Sequence, residues 1–347
     1  MKTPGEIQVQ HFIRIPSNSA GRRLCSVRMK FGEAYSEYLD AEDDRFLQKC
    51  RHLEYKELKN VLKKCSHAGE APDHVDNEIC PVCGQNFFSE LSSEISDIAD
   101  CFSSRARHIL HLHLASAFHK YLRRVSHCFG DDYLAMIQEG QNLINYVAMN
   151  SIAVHKILKK YDKVHCSENG QNFRRILQAK HLELLQSPWL IELSAFQLNT
   201  KDTKHGAFSE EICKCSCDFS GSEPIIMCTL SEIVKVEFSL TCSVCLDIVF
   251  EPVALGCGHL FCNSCACNAA SVPLIEGVKN AKSQARCPLC RQSGVYADSV
   301  HLAEMNLLVK KRCKKYWKER FYVDRAERMK EAKDYWDVQR NFVLGFI

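Results

Sequence analysis

Residues 242–290 read Cys242-x2-Cys245-x11-Cys257-x-His259-x2-Cys262-x2-Cys265-x21-Cys287-x2-Cys290. No other feature constrains the fold as strongly. A segment this short cannot build a sufficient apolar core, and its eight ligands match two tetrahedral zinc ions with none left over. A Cys-x2-Cys turn lets both sulfurs face one ion. The short stretch from Cys257 to Cys262 cannot easily serve one ion with Cys245 and another with Cys265. Alternation is easier: Cys242, Cys245, Cys262 and Cys265 at one site, and Cys257, His259, Cys287 and Cys290 at the other. With all positions filled, no water is left to activate, so the metal is expected to be structural rather than hydrolytic. Structural zinc can supply on the order of 10 kcal/mol to such folds.

Disulfides are the rival use for 21 cysteines. The opening MKTPGEIQVQHFIRIPSNSAGRR lacks an apolar core of signal-peptide type. No apolar run reaches the roughly 18 residues of a membrane span. A reducing intracellular compartment is therefore expected, where clustered thiols hold metal. Twelve cysteines precede the cluster. Cys50, Cys101 and Cys128 fall on apolar helical faces and read as small buried hydrophobes. Cys80 and Cys83 form a lone Cys-x2-Cys that reads as a free-thiol turn, with Cys65 and His67 as the alternative metal partners. Cys213, Cys215 and Cys217 are spaced too closely for a good tetrahedral chelate.

Upstream the pattern is helical. Residues 1–28 read as an extension. Phe46, Cys50, Leu53, Leu58, Val61 and Leu62 recur near a 3.6-residue period, as in one amphipathic helix. A break over 78–85 precedes Asn86–Cys128, 43 residues without Gly or Pro, or ~60 Å of helix. Its stripe runs from Phe87, Leu91, Ile95, Ile98 and Phe102 through Ile109 and Leu112 to Phe118, Leu122 and Val125. Asp131 and Asp132 are positioned to cap the next helix. The expected domains are a long-helix bundle over 29–190, a polar linker over 191–235, a zinc module over 236–300, and a basic helix over 301–347. In the last of these, Leu302, Met305, Val309, Tyr316 and Trp317 are apolar anchors.

The ligand order C3HC4, with its final Cys-Pro-Leu-Cys, resembles a RING finger with cross-braced zinc sites, a small zinc-stabilised α+β fold. The resemblance implies a ubiquitin ligase that binds a charged conjugating enzyme through two loops and forms no covalent ubiquitin intermediate. It places Val244 in the first loop, Pro288 and Leu289 in the second, and Arg291 at the arginine that bridges conjugating enzyme and ubiquitin. The plain alternative is that Val244 and Leu289 are core and Arg291 a solvated charge. Where many RINGs carry tryptophan, four residues after the sixth ligand, Ala269 stands, which weakens the expected contact.

Lys156, Lys159, Lys160 and Lys163 fall at i, i+3, i+4 and i+7, so they share one helix face, where like charges repel. Tyr55 and Lys59 share another. A solvated face is the ordinary reading of such runs. The combination of MKFG at Met29, YKELK at Tyr55 and KILKKYDK at Lys156 is similar to the SPX domain, a helical bundle that binds inositol pyrophosphates. That resemblance assigns Tyr55, Lys59 and Lys160 to the phosphate-binding cluster, Lys156, Lys159 and Lys163 to the neighbouring surface, and gives Lys30 a contributing place. Lysine, a flexible point charge, suits a crowded polyphosphate. The family motif normally begins the protein, so either Met29 is the natural start or the extension crowds the ligand end.

The pairing resembles the plant SPX–RING ubiquitin ligases of the nitrogen limitation adaptation and benzoic-acid hypersensitive type. This implies ubiquitination of membrane phosphate transporters in phosphate homeostasis. The expected location is the cytoplasm, with the plasma-membrane periphery and the nucleus as alternatives. The competing reading is a non-catalytic phosphate-sensing adaptor that uses its zinc module for protein contacts alone. A nucleic-acid-binding role ranks last. Net charge is only +3, and within 242–290 Lys279, Lys282 and Arg286 are balanced by Asp247, Glu251 and Glu276.

Overall fold

The computed structural model describes residues 30–41, 50–65, 86–122, 130–201, 213–221, 223–230 and 234–343, with the backbone alone at 41, 115–122, 130–132, 201, 213, 230 and 234. The first half is helical: α1 (Phe31–Ala41), α2 (Tyr55–Lys64), α3 (Asn86–Leu122), α4 (Gly130–His165), α5 (Asn169–Ala179) and α6 (Pro188–Lys201). In α4 every residue from Leu143 to Val154 is buried, the mark of a helix enclosed on all sides. Helices α2, α3, α5 and α6 pack around it. The α3 stripe of Phe87, Leu91, Ile95, Ile98, Phe102 and Ile109 is buried as its spacing requires, whereas Leu112 is 49% exposed. Helix α3 is described over 37 residues, as far as Leu122, and its expected end at Cys128 falls outside the described residues. Val125 and Cys128 lie outside the described residues, as do the side chains of Phe118, Leu122, Asp131 and Asp132. Residues 1–28, the 78–85 break and the Cys80–Cys83 pair lie outside them too.

The single helix expected from Phe46 to Leu62 starts only at Tyr55, and Phe46 lies outside the described residues. Residues 51–54 are not helical. The Leu53 amide donates to Asn150 Oδ1 (2.8 Å), which also accepts from the Tyr35 hydroxyl (3.1 Å). A buried asparagine with partners on each side holds this segment to α4 and takes the amide that a helix would have used. Cys50 and Cys101 are not isolated hydrophobes; they are joined in a disulfide across 51 residues of sequence. Linear spacing could not show that pairing.

Beyond α6 the chain folds into a sheet where a polar linker was expected. Strands β1 (Cys213–Asp218), β2 (Ile225–Leu230) and β3 (Val234–Ser239) form an antiparallel sheet in that order, and β1 and β2 pack on α6 and α4. Cys215, Ile226, Cys228, Val236 and Phe238 are buried, a period of two that short strands and cysteines conceal. Cys215 Sγ lies 2.8 Å from Cys228 Sγ across the strands, and among the described residues the Cys215 and Cys217 thiols join no metal-ligand cluster.

The zinc module comes next: strands β4 (Pro252–Ala254) and β5 (Leu260–Cys262), helix α7 (Asn263–Ala270) and strand β6 (Val300–His301), with sheet order β5-β4-β6. Two more helices close the chain, α8 (Ala303–Arg312) and α9 (Lys314–Val343). The module is docked on the bundle. Glu192 of α6, fully buried, accepts the Glu304 and Met305 amides (2.6 and 3.1 Å) at the start of α8. Glu304 in turn meets Asn199 Nδ2 (2.9 Å) and His113 Nδ1 (2.6 Å). Gly258, at φ +80°, sits so close to the Gln186 carbonyl that a Cβ would collide with it. Among the described residues no helix is long and apolar enough to cross a membrane.

Candidate metal centres and lysine face

The first and last Cys-x2-Cys pairs, Cys242–Cys245 and Cys287–Cys290, each lie on a tight turn closed by an isolated bridge, Thr241 with Ile248 and Arg286 with Ser293. In both turns the residue after the second cysteine is left-handed, Leu246 at φ +59° and Arg291 at φ +60°. Its amide donates back to the first cysteine's carbonyl, at 2.8 and 2.9 Å. These knuckles aim paired sulfurs at a common point. Cys257 and His259 flank Gly258 before β5, while Cys262 and Cys265 come from the end of β5 and the first turn of α7.

The fold gathers the ligands in the alternating arrangement. Cys242, Cys245, Cys262 and Cys265 form one cluster, and Cys257, His259, Cys287 and Cys290 the other, with the ligand atoms of each within 4.8 Å of one another. Cys245 and Cys262 sulfurs are 3.8 Å apart. His259 presents Nδ1 at 3.2 Å from Cys257 Sγ and 3.6 Å from Cys287 Sγ. Tetrahedral zinc with Zn–S bonds of ~2.3 Å has edges of ~3.8 Å, so both clusters fit the ion. The Phe250 amide donates to Cys262 Sγ (3.2 Å), which favours the thiolate. Without metal, hydrogen bonding to Cys287 and Cys290, then burial, pushes the Cys257 thiol up, so zinc binding releases protons. The two clusters fit two structural zinc ions, which would leave no open coordination position.

The residues assigned to partner contact divide. Val244 is 45% exposed, so it is not core. Pro288, Arg291 and Ala269 are exposed, and Leu289 is partly buried against the core. Leu246, beside Val244, is 78% exposed and was not singled out from sequence; its signal was an apolar residue directly after a ligand pair.

At one end of the bundle α1, α2 and α4 converge. Lys160 Nζ donates to the Lys59 carbonyl (2.7 Å). Lys156 Nζ lies 5.0 Å from the centre of the Phe31 ring, and Lys59 Nζ 5.6 Å from that of Tyr55. Tyr55 is itself buried and packs edge-on against Phe31. Burial, then the charge on Lys159, lowers the Lys156 pKa; burial, then Lys59 and Lys63, lowers that of Lys160. Lys63 is thus a member of the cluster that sequence reading omitted, although it lies four residues from Lys59. Lys30, Lys156, Lys159 and Lys163 are exposed, and Lys59 and Lys160 are half-buried. Asp162, within the same lysine run, is engaged at α5. Its oxygens accept the Gly170 and Gln171 amides (2.6 and 3.2 Å) and cap α5.

Residues 242–290 match the zinc finger, C3HC4 type (RING finger) family. The chain is 47% identical over 335 residues to the "Probable E3 ubiquitin-protein ligase BAH1-like" of Arabidopsis thaliana, covering 92% of this chain and all of that protein. It is 48% identical over 338 residues to "Probable E3 ubiquitin-protein ligase BAH1-like 1" of Oryza sativa subsp. indica, and 42% over 340 residues to "E3 ubiquitin-protein ligase NLA" of Arabidopsis thaliana. Both alignments cover 91% of this chain and all of the relative.

Proposed function

The chain belongs to the family of BAH1-like and NLA E3 ubiquitin-protein ligases, and on that premise we propose that its helical bundle is an SPX-type sensor that binds an inositol pyrophosphate. The RING-type ligase works with a ubiquitin-conjugating enzyme and ubiquitin. Its zinc-held loops present Val244, Leu246, Pro288 and Arg291 to the charged conjugating enzyme. Val244 and Leu246 offer apolar contact. Arg291 donates hydrogen bonds where enzyme and ubiquitin meet, so the thioester is held in a reactive pose and the acceptor lysine attacks it directly.

The observation that carries the sensor reading is the convergence of Lys156, Lys160 and Lys59 on one end of the bundle, where the Asp162 oxygens are bonded to α5 amides. Partly buried ammonium groups that repel one another are stabilised by an anion of high charge density. Lys30, Lys159 and Lys163 extend the positive surface, and Tyr55 positions Lys59. On the resemblance of its sequence motifs to plant SPX–RING ligases, we further propose membrane phosphate transporters as substrates, phosphate homeostasis as the process, and the cytoplasm, plasma-membrane periphery or nucleus as the site of action.

Calorimetry of the full chain with an inositol pyrophosphate tests the sensor. Affinity should fall with rising salt, because exposed charges are screened over ~8 Å at physiological ionic strength. Lys160→Ala should weaken binding more than Lys163→Ala, since only Lys160 is tied into the inner cluster. Equal affinity in the wild type and a Lys156→Ala/Lys160→Ala double variant would return the lysines to a solvated face.

A further inference from the structure

One side of α9 is spent on the zinc module. Tyr316 donates to the Ile248 carbonyl (2.5 Å), Trp317 packs on Phe250, Arg328 pairs with Glu251, and Glu331 accepts the Leu274 amide (3.0 Å). Another side carries large apolar groups in solvent. Tyr322, Met329, Trp336 and Val343 are 60, 66, 61 and 80% exposed, and they recur every seven residues. A seven-residue repeat drifts only ~20° per step around a helix, so these four make one stripe. It is also the repeat by which one helix packs along another. The intervening seam positions, four residues on, are Ala326, Lys333 and Arg340, all exposed.

A matching helix must set apolar or aromatic faces against two cations, and cations against aromatic rings. This helix matches itself. Laid antiparallel on a second copy about a midpoint between Asp334 and Tyr335, it sets Lys333 opposite the partner's Trp336 and Met329 opposite the partner's Arg340. Ala326 falls opposite the partner's Val343. On the flank, Lys330 meets the partner's Asp337. Two-fold symmetry makes each contact twice, with ammonium-on-indole pairs near the centre. The midpoint lies beyond Glu331, the last of those four contacts to the module, so the RING does not block it. Over residues 332–343, Lys333 and Arg340 are offset by Asp334 and Asp337, and that neutral balance gives an anionic lipid surface little to attract.

We propose that the Ala326–Val343 face of α9 is a homodimer interface, pairing two chains antiparallel and setting their RING modules at opposite ends of the shared helix pair. Sedimentation equilibrium on the full chain is the test. The wild type should form a concentration-dependent dimer. A Met329→Glu/Trp336→Glu variant should be monomeric while keeping its two zinc ions and its helicity. Lys330→Asp or Asp337→Lys alone should raise the dissociation constant on the order of tenfold, because two attractions become repulsions, and the double swap should restore it. A wild type monomeric up to its solubility limit would overturn the interface, as would a dimer indifferent to Trp336→Glu. Additive losses in the double swap would overturn the antiparallel register. A monomer that sediments with phosphatidylserine vesicles would give the face to lipid.

Discussion

Val244 and Arg291 separate contact from packing at the level of single side chains. Val244 is half-exposed, and the exposed Arg291 takes the left-handed position that closes its knuckle. Alanine at either position leaves the metal ligands and the backbone in place. Both variants should discharge a charged conjugating enzyme at least about tenfold more slowly, the scale of a contact worth ~1.4 kcal/mol, while zinc stays at two per chain. Loss of zinc in either variant would show that the residue holds the knuckle together. Arg291 was legible through its place after the last ligand. Leu246 was not, because apolar identity alone does not announce exposure. Tyr55 was assigned to a ligand cluster, and its burial shows how one ring serves both core and cation.

At the scale of elements, the knuckles and α5 show two kinds of local closure. Cys257→Ser leaves the second zinc site with three ligands and an opening to water. Metal analysis should then fall from two zinc ions per chain towards one, with the thermal transition of the zinc module lowered or lost. Helix α5 has no such anchor. It is held where Asp162 caps its first amides and Gly170 presses on α4: a Cβ at Gly170 would lie 2.7 Å from the Leu158 carbonyl and 2.9 Å from the Asp162 oxygens. Gly170→Ala should therefore cost ~1–3 kcal/mol by overpacking, read as a lower denaturant midpoint with an unchanged slope. The long helices were legible from their 3.6-residue stripes. The sheet over 213–239 was not, because alternation over six residues is weak and its inward residues in β1 are cysteines.

For the whole molecule, the decisive contact is the seat of the zinc module on the bundle. Burial pushes the Glu192 carboxyl up to about 8. An acid whose pKa is raised on folding contributes stability that is complete below its ordinary value, near 4.5, and is lost as pH rises through about 8. Wild-type stability should decline across that window, and Glu192→Gln, which cannot ionise, should flatten the decline. Thermal unfolding at about pH 6 and about pH 9 reads the difference. Gln keeps one carbonyl acceptor for the start of α8 but sets an amide where the other oxygen accepted, so the variant should be less stable at the lower pH. A decline of equal slope in both proteins would assign it to other groups.

The sequence alone determined the chemistry and the local order: which eight residues gather as two sets of metal ligands, how they alternate, and which stripe α3 buries. Ligand type and spacing are properties of the linear chain, and a metal ion or a 3.6-residue stripe reads them directly. Only the tertiary structure decided which distant groups meet. Cys50 reaches Cys101, Asn150 takes the Leu53 amide, Asp162 takes the first amides of α5, and Glu192 caps a helix 112 residues away. These contacts depend on how elements dock. Docking is set by summed packing, close approach at residues such as Gly258, and hydrogen-bond satisfaction of buried groups, none of which has a period that a sequence can display.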